Sequence, residues 1–436
     1  MLGCWVSFGD LSSATKQPSN SATALIFVIA LAAHLTYFAA SNNDFFYPDS
    51  ATYLVPSQNL GHGLGFVDAL GKPETIRTPG YPLFLLITKS AVATVLLQHL
   101  LAALLAVAVF IVAERWSGSR ATGIIAALLF ALDTPTIHYA NKVLSETLFT
   151  VVFFAIFIAA RSRRGVIATG LATGALVLIR PVAILWFVVV ALFMRPRKLA
   201  IAFTISALLL PVAWGLRNLA KTGVFTIASI AGTNMLMQRA AGALAIMDDY
   251  EFPDALRDRQ NELIEEAEEI IDRAEHVQDR TELPHAVQAK YYGSLGRRVF
   301  LQHPLGAAMI TLHGIEMNLF DSDSDAMIIV SRIPPSIVQM SLDVVTHIEC
   351  FLAVAGLFVM WRRDRTLAAF VALTLLYFIV ISAGAESEAR FRVPLMPLYA
   401  IAAAFAISGA STMRTPDGGR SMASTIERTT FDSGTG

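Results

Sequence analysis

About ten runs of apolar residues, most near the length that crosses a bilayer, limit what this chain can fold into more than any other feature. They lie near residues 22–40, 92–113, 120–133, 145–160, 166–180, 181–194, 198–216, 340–361, 366–382 and 392–409. A helix rising about 1.5 Å per residue needs roughly 20 apolar residues for a hydrocarbon core of about 30 Å. The expectation is an all-α integral membrane protein, a polytopic bundle of about ten transmembrane helices. The third to sixth runs are short, so their ends are the least defined.

Composition agrees. The 436 residues are 55% hydrophobic and only 15% charged, against about 25% charged in a soluble domain. Mean hydropathy is +0.57. A net charge of -1 gives nucleic acid no electrostatic footprint, so no nucleic-acid partner is expected. Cys4 and Cys350 form no disulfide framework, one lying near the N-terminus and the other in an apolar run. The first run is longer than a signal-peptide core of about 7–15 residues. Its lead-in carries only Lys16, and Phe38-Ala39-Ala40-Ser41 is a poor cleavage site, so a retained membrane helix is expected.

Charge sets the expected orientation. Three clusters, Arg161/Arg163/Arg164, Arg195/Arg197/Lys198 and Arg362/Arg363/Arg365, thread to the N-terminal side of the runs. Short loops rich in Lys and Arg face the cytoplasm, and the expected location is the cytoplasmic (inner) membrane. The opposite side receives 41–91, 134–144, the turn at 180–181, 217–339 and 383–391. The expected units are a cytoplasmic segment 1–21, an N-terminal transmembrane module 22–216, an extracytoplasmic helical insert 217–339, a C-terminal transmembrane module 340–409 and a disordered tail 410–436. Between Asp254 and Arg280, Leu256, Leu263, Ile264, Ile270 and Ile271 recur at rough helical spacing, predicting one or two amphipathic helices. Glu265-Glu266-Ala267-Glu268-Glu269 then reads as a solvated face. Residues 299–320 are apolar but broken by His303, Pro304, His313, Glu316 and Asn318, which fits an interfacial helix.

The outer loops hold the chemistry. Tyr47-Pro48-Asp49-Ser50-Ala51-Thr52-Tyr53 and Arg77-Thr78-Pro79-Gly80-Tyr81-Pro82 put a carboxylate and an arginine in one loop. Phe45, Phe46, Tyr47 and Tyr53 suit headgroup depth. Asp49 is a natural N-cap for a short interfacial helix, a role compatible with accepting a proton. Transfer of a sugar from a phosphate carrier needs a base for the acceptor hydroxyl and cations for the phosphate. A glycosidase instead needs two carboxyls flanking the bond. Gly61-His62-Gly63-Leu64-Gly65-Phe66 follows no strand and lacks the Lys-Ser/Thr of a nucleotide loop, so it reads as a turn joining two interfacial helices, with His62 on the surface.

Taken together, several short pieces resemble the multi-spanning glycosyltransferases of the C-type fold, in the bacterial branch related to protein O-mannosyltransferases and lipid A aminoarabinose transferases. They are Asp49-Ser50-Ala51-Thr52-Tyr53-Leu54 with Gly63-Leu64-Gly65-Phe66; Arg77-Thr78-Pro79-Gly80-Tyr81-Pro82-Leu83-Phe84; Leu144-Ser145-Glu146-Thr147-Leu148-Phe149; Gly174-Ala175-Leu176 with Arg180-Pro181; Pro211-Val212-Ala213-Trp214 with Arg217-Asn218; and Arg390-Phe391-Arg392-Val393-Pro394 with Pro397. They follow family order from residue 22 to about 409. The resemblance implies a polyprenyl-phosphate-sugar donor, an envelope glycan, lipid or protein acceptor, and transfer on the outer face, usually with inversion. It assigns the first-loop acid to Asp49. Many members have two adjacent acids there, and this chain has Ser50 in the second place.

Arg77, Arg180, Arg217, Arg390 and Arg392 sit at outer span ends or in outer loops, where arginine is normally scarce. A guanidinium grips phosphate oxygens bidentately, so these five are the expected donor-phosphate ligands; snorkelling to headgroups is the alternative use. Tyr53 and Glu146 are expected in support. Glu146 opens a span, where a carboxylate costs about 2.5–3.5 kcal/mol unless it faces a cavity or a cation; it is equally an N-terminal acid on a helix capped by Ser145. No metal or other cofactor is expected, because Asp321, Asp323 and Asp325 lack the Gly and distal Glu of a calcium loop. The competing functions are a secondary transporter, which predicts repeats and mid-membrane charges, and a lipid-linked glycan polymerase or ligase.

Overall fold

A computed structural model describes residues 20–162, 165–248, 250–277, 279–324 and 333–409. Cys4, Lys16, Arg163, Arg164, Asp325 and the 410–436 tail lie outside the described residues. Every regular element among the described residues is helical, and the one extended pairing is a single bridge between Val67 and Pro73.

Six helices are long and apolar enough to cross a membrane: Asn20–Ala40, Ala91–Ser117, Arg197–Thr222, Pro335–Arg363, Arg365–Ser382 and the stretch Ala389–Gly409. Arg120–Ala131 and Thr134–Ala140 form a further, bent pair, with 53° between its halves. Three shorter apolar helices, Glu146–Ala159, Val166–Ile179 and Pro181–Phe193, complete the bundle. The ten apolar runs of the sequence therefore all become helix, and the fold is that of a multi-pass membrane protein.

Local chemistry sets the helix ends. Ser90 accepts from the Ala93 amide at 3.1 Å to start Ala91–Ser117, and Gly118 in the left-handed region ends it. Asp133 accepts from the Thr136 amide at 2.8 Å, and with Pro135 inside the first turn it starts a new helix, so this span bends. Arg197–Thr222 runs past the expected boundary at 216 because helical geometry persists until Gly223, at φ 72°. The last span begins as two 3-10 turns around Pro394 before Met396–Gly409.

The core is a ladder of rings. Phe149, Phe153 and Phe157 of Glu146–Ala159 pack edge-on or stacked against Phe370 and Phe378 of Arg365–Ser382, with Trp186 tilted against Phe153. Outward faces carry exposed apolar side chains such as Leu25, Ile205, Leu209 and Phe358, as expected of surfaces that meet lipid. Inside the bundle, His34 Nδ1 lies 2.8 Å from His99 Nδ1, and His99 Nε2 lies 3.1 Å from Asn141 Oδ1. Asn141 and Lys142 in turn donate to the Asp44 carbonyl, which fixes the loop after the first span against 134–144.

The polar insert is helical, as expected. Phe252–Glu275 buries Ala255, Leu263, Ala267 and Ile271, while the glutamates at 265, 266 and 269 face solvent. His285–Gln302 and Pro304–Phe320 follow, and Asn318 donates to the Ile379 carbonyl at 3.1 Å, tying the insert to Arg365–Ser382.

Gly80 shows how tightly the first outer loop seats on the bundle. A methyl group there would lie 2.5 Å from the Leu178 carbonyl oxygen and 2.9 Å from an Ile179 side-chain carbon. Gly80→Ala is expected to destabilise the fold by about 1–3 kcal/mol, the usual range for overpacking. A lowered thermal midpoint in detergent checks this; an unchanged midpoint would show that the two helices can part without loss.

Candidate functional site

Four sequence-distant segments meet at one end of the bundle. The 134–144 loop sets the first outer loop in place: the Val143 amide donates to the Phe45 carbonyl at 2.8 Å, and the Ser50 hydroxyl to the Val143 carbonyl at 3.0 Å. Ser50 also accepts from the Tyr47 amide at 2.9 Å. Ser50, in the second-acid place, is thus a buried strut holding the turn. Asp49 precedes Ser50–Gly61, but its side chain makes no capping hydrogen bond. It is turned away to face two guanidinium groups.

Asp49 Oδ1 lies 2.7 Å from Arg77 Nη2, and Oδ2 lies 3.0 Å from Arg390 Nη2. Arg390 Nε pairs with Glu146 Oε1, and Arg180 Nη1 reaches the same oxygen at 2.5 Å. Glu388 Oε1 is 3.8 Å from Arg390 Nη1, and the Tyr47 ring lies under that guanidinium at 5.1 Å. Arg77 donates through Nε to Thr52 Oγ1 at 2.8 Å and sits 4.7 Å from the centre of the Tyr53 ring. The Thr52 hydroxyl in turn donates to the Asp49 carbonyl at 2.6 Å. The Tyr53 hydroxyl is 3.4 Å from Ser145 Oγ.

Exposure ranks these groups. Glu146 is fully sealed, Arg390 is 7% exposed, Arg180 13%, Arg77 14% and Asp49 34%. A buried carboxylate cannot meet a substrate without moving, so Glu146 acts as an anchor that fixes Arg390 and Arg180. Of the pair Asp49 and Glu146, Asp49 is the carboxylate a solute can reach, and Arg77 is the more exposed of the two cations on it.

Of the eight residues singled out in the sequence, the structure brings six together: Asp49, Tyr53, Arg77, Glu146, Arg180 and Arg390. The remaining two are committed to backbone. Arg217 donates to the Glu74 and Phe66 carbonyls at 2.8 and 2.9 Å, with its cation 4.8 Å from the Trp214 ring. Arg392 donates to the Asn318, Leu319 and Asp321 carbonyls at 3.0–3.3 Å, closing the open end of Pro304–Phe320. Neither joins the ion-pair network on these contacts; both brace the loops around it. Thr52, Glu388 and Tyr47 are contributors that carried no assigned role in the sequence. Thr52 could have been found from its spacing, one helical turn after Asp49.

The insert touches the same loop that carries Arg390. Arg239, in the π-helical segment Met235–Ala240, donates to the Ile381 carbonyl at 2.8 Å. Burial raises the Glu386 carboxyl above its usual range, with Arg239 opposing. The folded chain therefore holds this proton more tightly than the unfolded chain, and stability falls as pH rises from the ordinary carboxylate value through the raised one. Glu386→Gln is expected to flatten that slope in a series of melting curves across pH; an unaltered slope would remove Glu386 as its source.

The fold and this network define a polytopic helical membrane protein with a paired carboxylate–guanidinium centre at one end of its bundle. No protein-family model and no curated protein sequence matches the chain.

Replacing Glu146 with Gln would leave Arg390 and Arg180 without their shared countercharge. Breaking one side of a buried pair costs about 3–5 kcal/mol. The expected result is a large loss of thermal stability from Glu146→Gln, with a smaller loss from Glu388→Gln, whose partner is farther away.

Proposed function

We propose that this chain is a membrane glycosyltransferase of the C-type fold, moving a sugar from a polyprenyl-phosphate donor to an envelope glycan, lipid or protein. The observation that carries this reading is the partly exposed Asp49 carboxylate held directly between Arg77 and Arg390. A base and phosphate-binding cations are what such a transfer requires, and here they are adjacent. Phosphate leaves as a stable anion, so no second acid is needed. Asp49 takes the proton of the acceptor hydroxyl late in the transition state. Arg77 and Arg390 hold the donor phosphate as charge builds on it. Arg180 and Glu146 keep Arg390 in place, and the Tyr53 ring backs Arg77. No metal is required for these roles.

In this reading all ten apolar helices span the cytoplasmic (inner) membrane, with the basic clusters inside and Asp49 on the extracytoplasmic face. Ser50–Gly61 and Gly80–Thr88 lie in the outer interface. Pro304–Phe320 lies there too, with exposed Leu305 and Leu312 toward lipid.

Asp49→Asn is expected to lower transfer by about 10²–10⁴-fold, the usual worth of a general base, while expression and melting stay near wild type. Retained activity in membranes would remove Asp49 from the role. Mass spectrometry of envelope glycans and lipids from cells lacking the chain identifies the missing sugar; an unchanged envelope would count against the reading.

A further inference from the structure

Both cations that would serve the phosphate are already bound to the base. Arg77 Nη2 and Arg390 Nη2 each sit on one oxygen of Asp49. Each Asp49 oxygen already accepts from a guanidinium, so an incoming hydroxyl must compete with an arginine for the carboxylate. The resting arrangement thus opposes the chemistry proposed for it, and something must loosen before Asp49 acts.

The two arginines are not equally free to loosen. Arg390 is nearly buried, paired with the sealed Glu146, near Glu388, and seated on the Tyr47 ring. Arg77 is more exposed. Apart from Asp49, its guanidinium has one hydroxyl, Thr52 Oγ1, and the face of Tyr53. Turning Arg77 off Asp49 costs one ion pair and a bond to a neutral hydroxyl, because no second carboxylate among the described residues is paired with its guanidinium. Turning Arg390 would break its pair with Glu146 as well.

Resting on the glycosyltransferase reading, we propose that the Asp49–Arg77 ion pair is a gate opened by the donor's phosphate. The phosphodiester draws Arg77 Nη2 from Asp49 Oδ1 and leaves Arg390 on Oδ2. Oδ1 is open to the acceptor hydroxyl only when donor is bound. The acceptor oxygen then bonds to the anomeric carbon as the bond from that carbon to the phosphate oxygen breaks. The electron pair leaves with the polyprenyl phosphate, where Arg77 shares its charge, and the acceptor's proton passes to Asp49 Oδ1. Without donor, Asp49 stays paired and does not activate water or a stray hydroxyl.

The exchange has a signature that neither a structural role nor simple repulsion reproduces. Asp49 competes with phosphate for Arg77, so removing its charge strengthens phosphate binding, but only while Arg77 is present. The experiment measures binding of a polyprenyl monophosphate in detergent, with the neutral polyprenol as control, to the full chain and to Asp49→Asn, Arg77→Ala and the double variant. Asp49→Asn is expected to tighten binding roughly fivefold, the upper worth of a partly exposed ion pair. Arg77→Ala weakens binding, and Asp49→Asn adds nothing in that background. Equal tightening in both backgrounds would mean plain charge repulsion and would overturn the gate; so would no tightening at all. Monophosphate binding no better than polyprenol in the wild-type chain would overturn the glycosyltransferase reading with it. Asp49→Ser repeats the cycle should Asn at this position fail to fold.

Discussion

A carboxylate sealed at the start of an apolar helix sets the terms for its surroundings. Glu146 has no access to water, and burying an ion costs several kcal/mol unless it is matched by opposite charge. The match comes from Arg180, at the far end of Val166–Ile179, and from Arg390, in the loop before the last span. Two segments more than two hundred residues apart in sequence are thereby held to one oxygen. Arg390 then offers its remaining nitrogen outward, and Asp49 is positioned by that offer rather than by the helix it precedes. The order of dependence runs from the sealed acid, through the bridging cation, to the accessible acid.

Much of the architecture was legible in the sequence because it rests on local chemistry. Apolar runs become helices, though the stops at Gly118 and Gly223 and the cap at Asp364 were not read, and one helix runs on from the expected 216 to Thr222. The bend at Asp133 was less legible, since a capping Asp with Pro two residues on also reads as an ordinary boundary. The site was legible in part. Asp49, Arg77, Arg180, Glu146 and Arg390 can be named from polar residues at span ends. What sequence could not separate was Arg390 from Arg392, or Arg77 from Arg217. A guanidinium donates to carbonyl oxygens as well as to carboxylates, and which it meets depends on packing between distant segments. Arg392 points to the frayed end of Pro304–Phe320 and Arg390 to Glu146, though only one residue separates them. The His34–His99 contact escaped for the same reason: each histidine sits in a mostly apolar run with nothing local to mark a partner, and only the crossing of two helices brings them together.

The insert bears on both loops that supply the network. Its start is pinned to the first outer loop, where the Ser229 amide donates to the Thr75 carbonyl at 2.7 Å. The Ser229 hydroxyl meets Thr75 Oγ1 at 3.1 Å and His285 Nδ1 at 2.6 Å. Arg239 and Asn318 hold the end of Arg365–Ser382 just before the other loop, and within that loop the Ala389 amide donates to Asp321 Oδ2 at 2.7 Å. Arg77 follows Thr75 by two residues, and Arg390 follows those contacts closely along the other loop. A shift of the insert would therefore be felt at both cations that flank Asp49.

Equal numbers of opposite charges at short range project almost no field into solution. An anion approaching this end of the molecule from the aqueous phase would feel little long-range pull, and ionic strength would alter its arrival rate only weakly. In the proposed reading the donor arrives by another way. The apolar outer faces of the helices offer it: a molecule with a greasy tail already diffuses in two dimensions beside them, so encounter is set by partition into the bilayer and not by attraction through water.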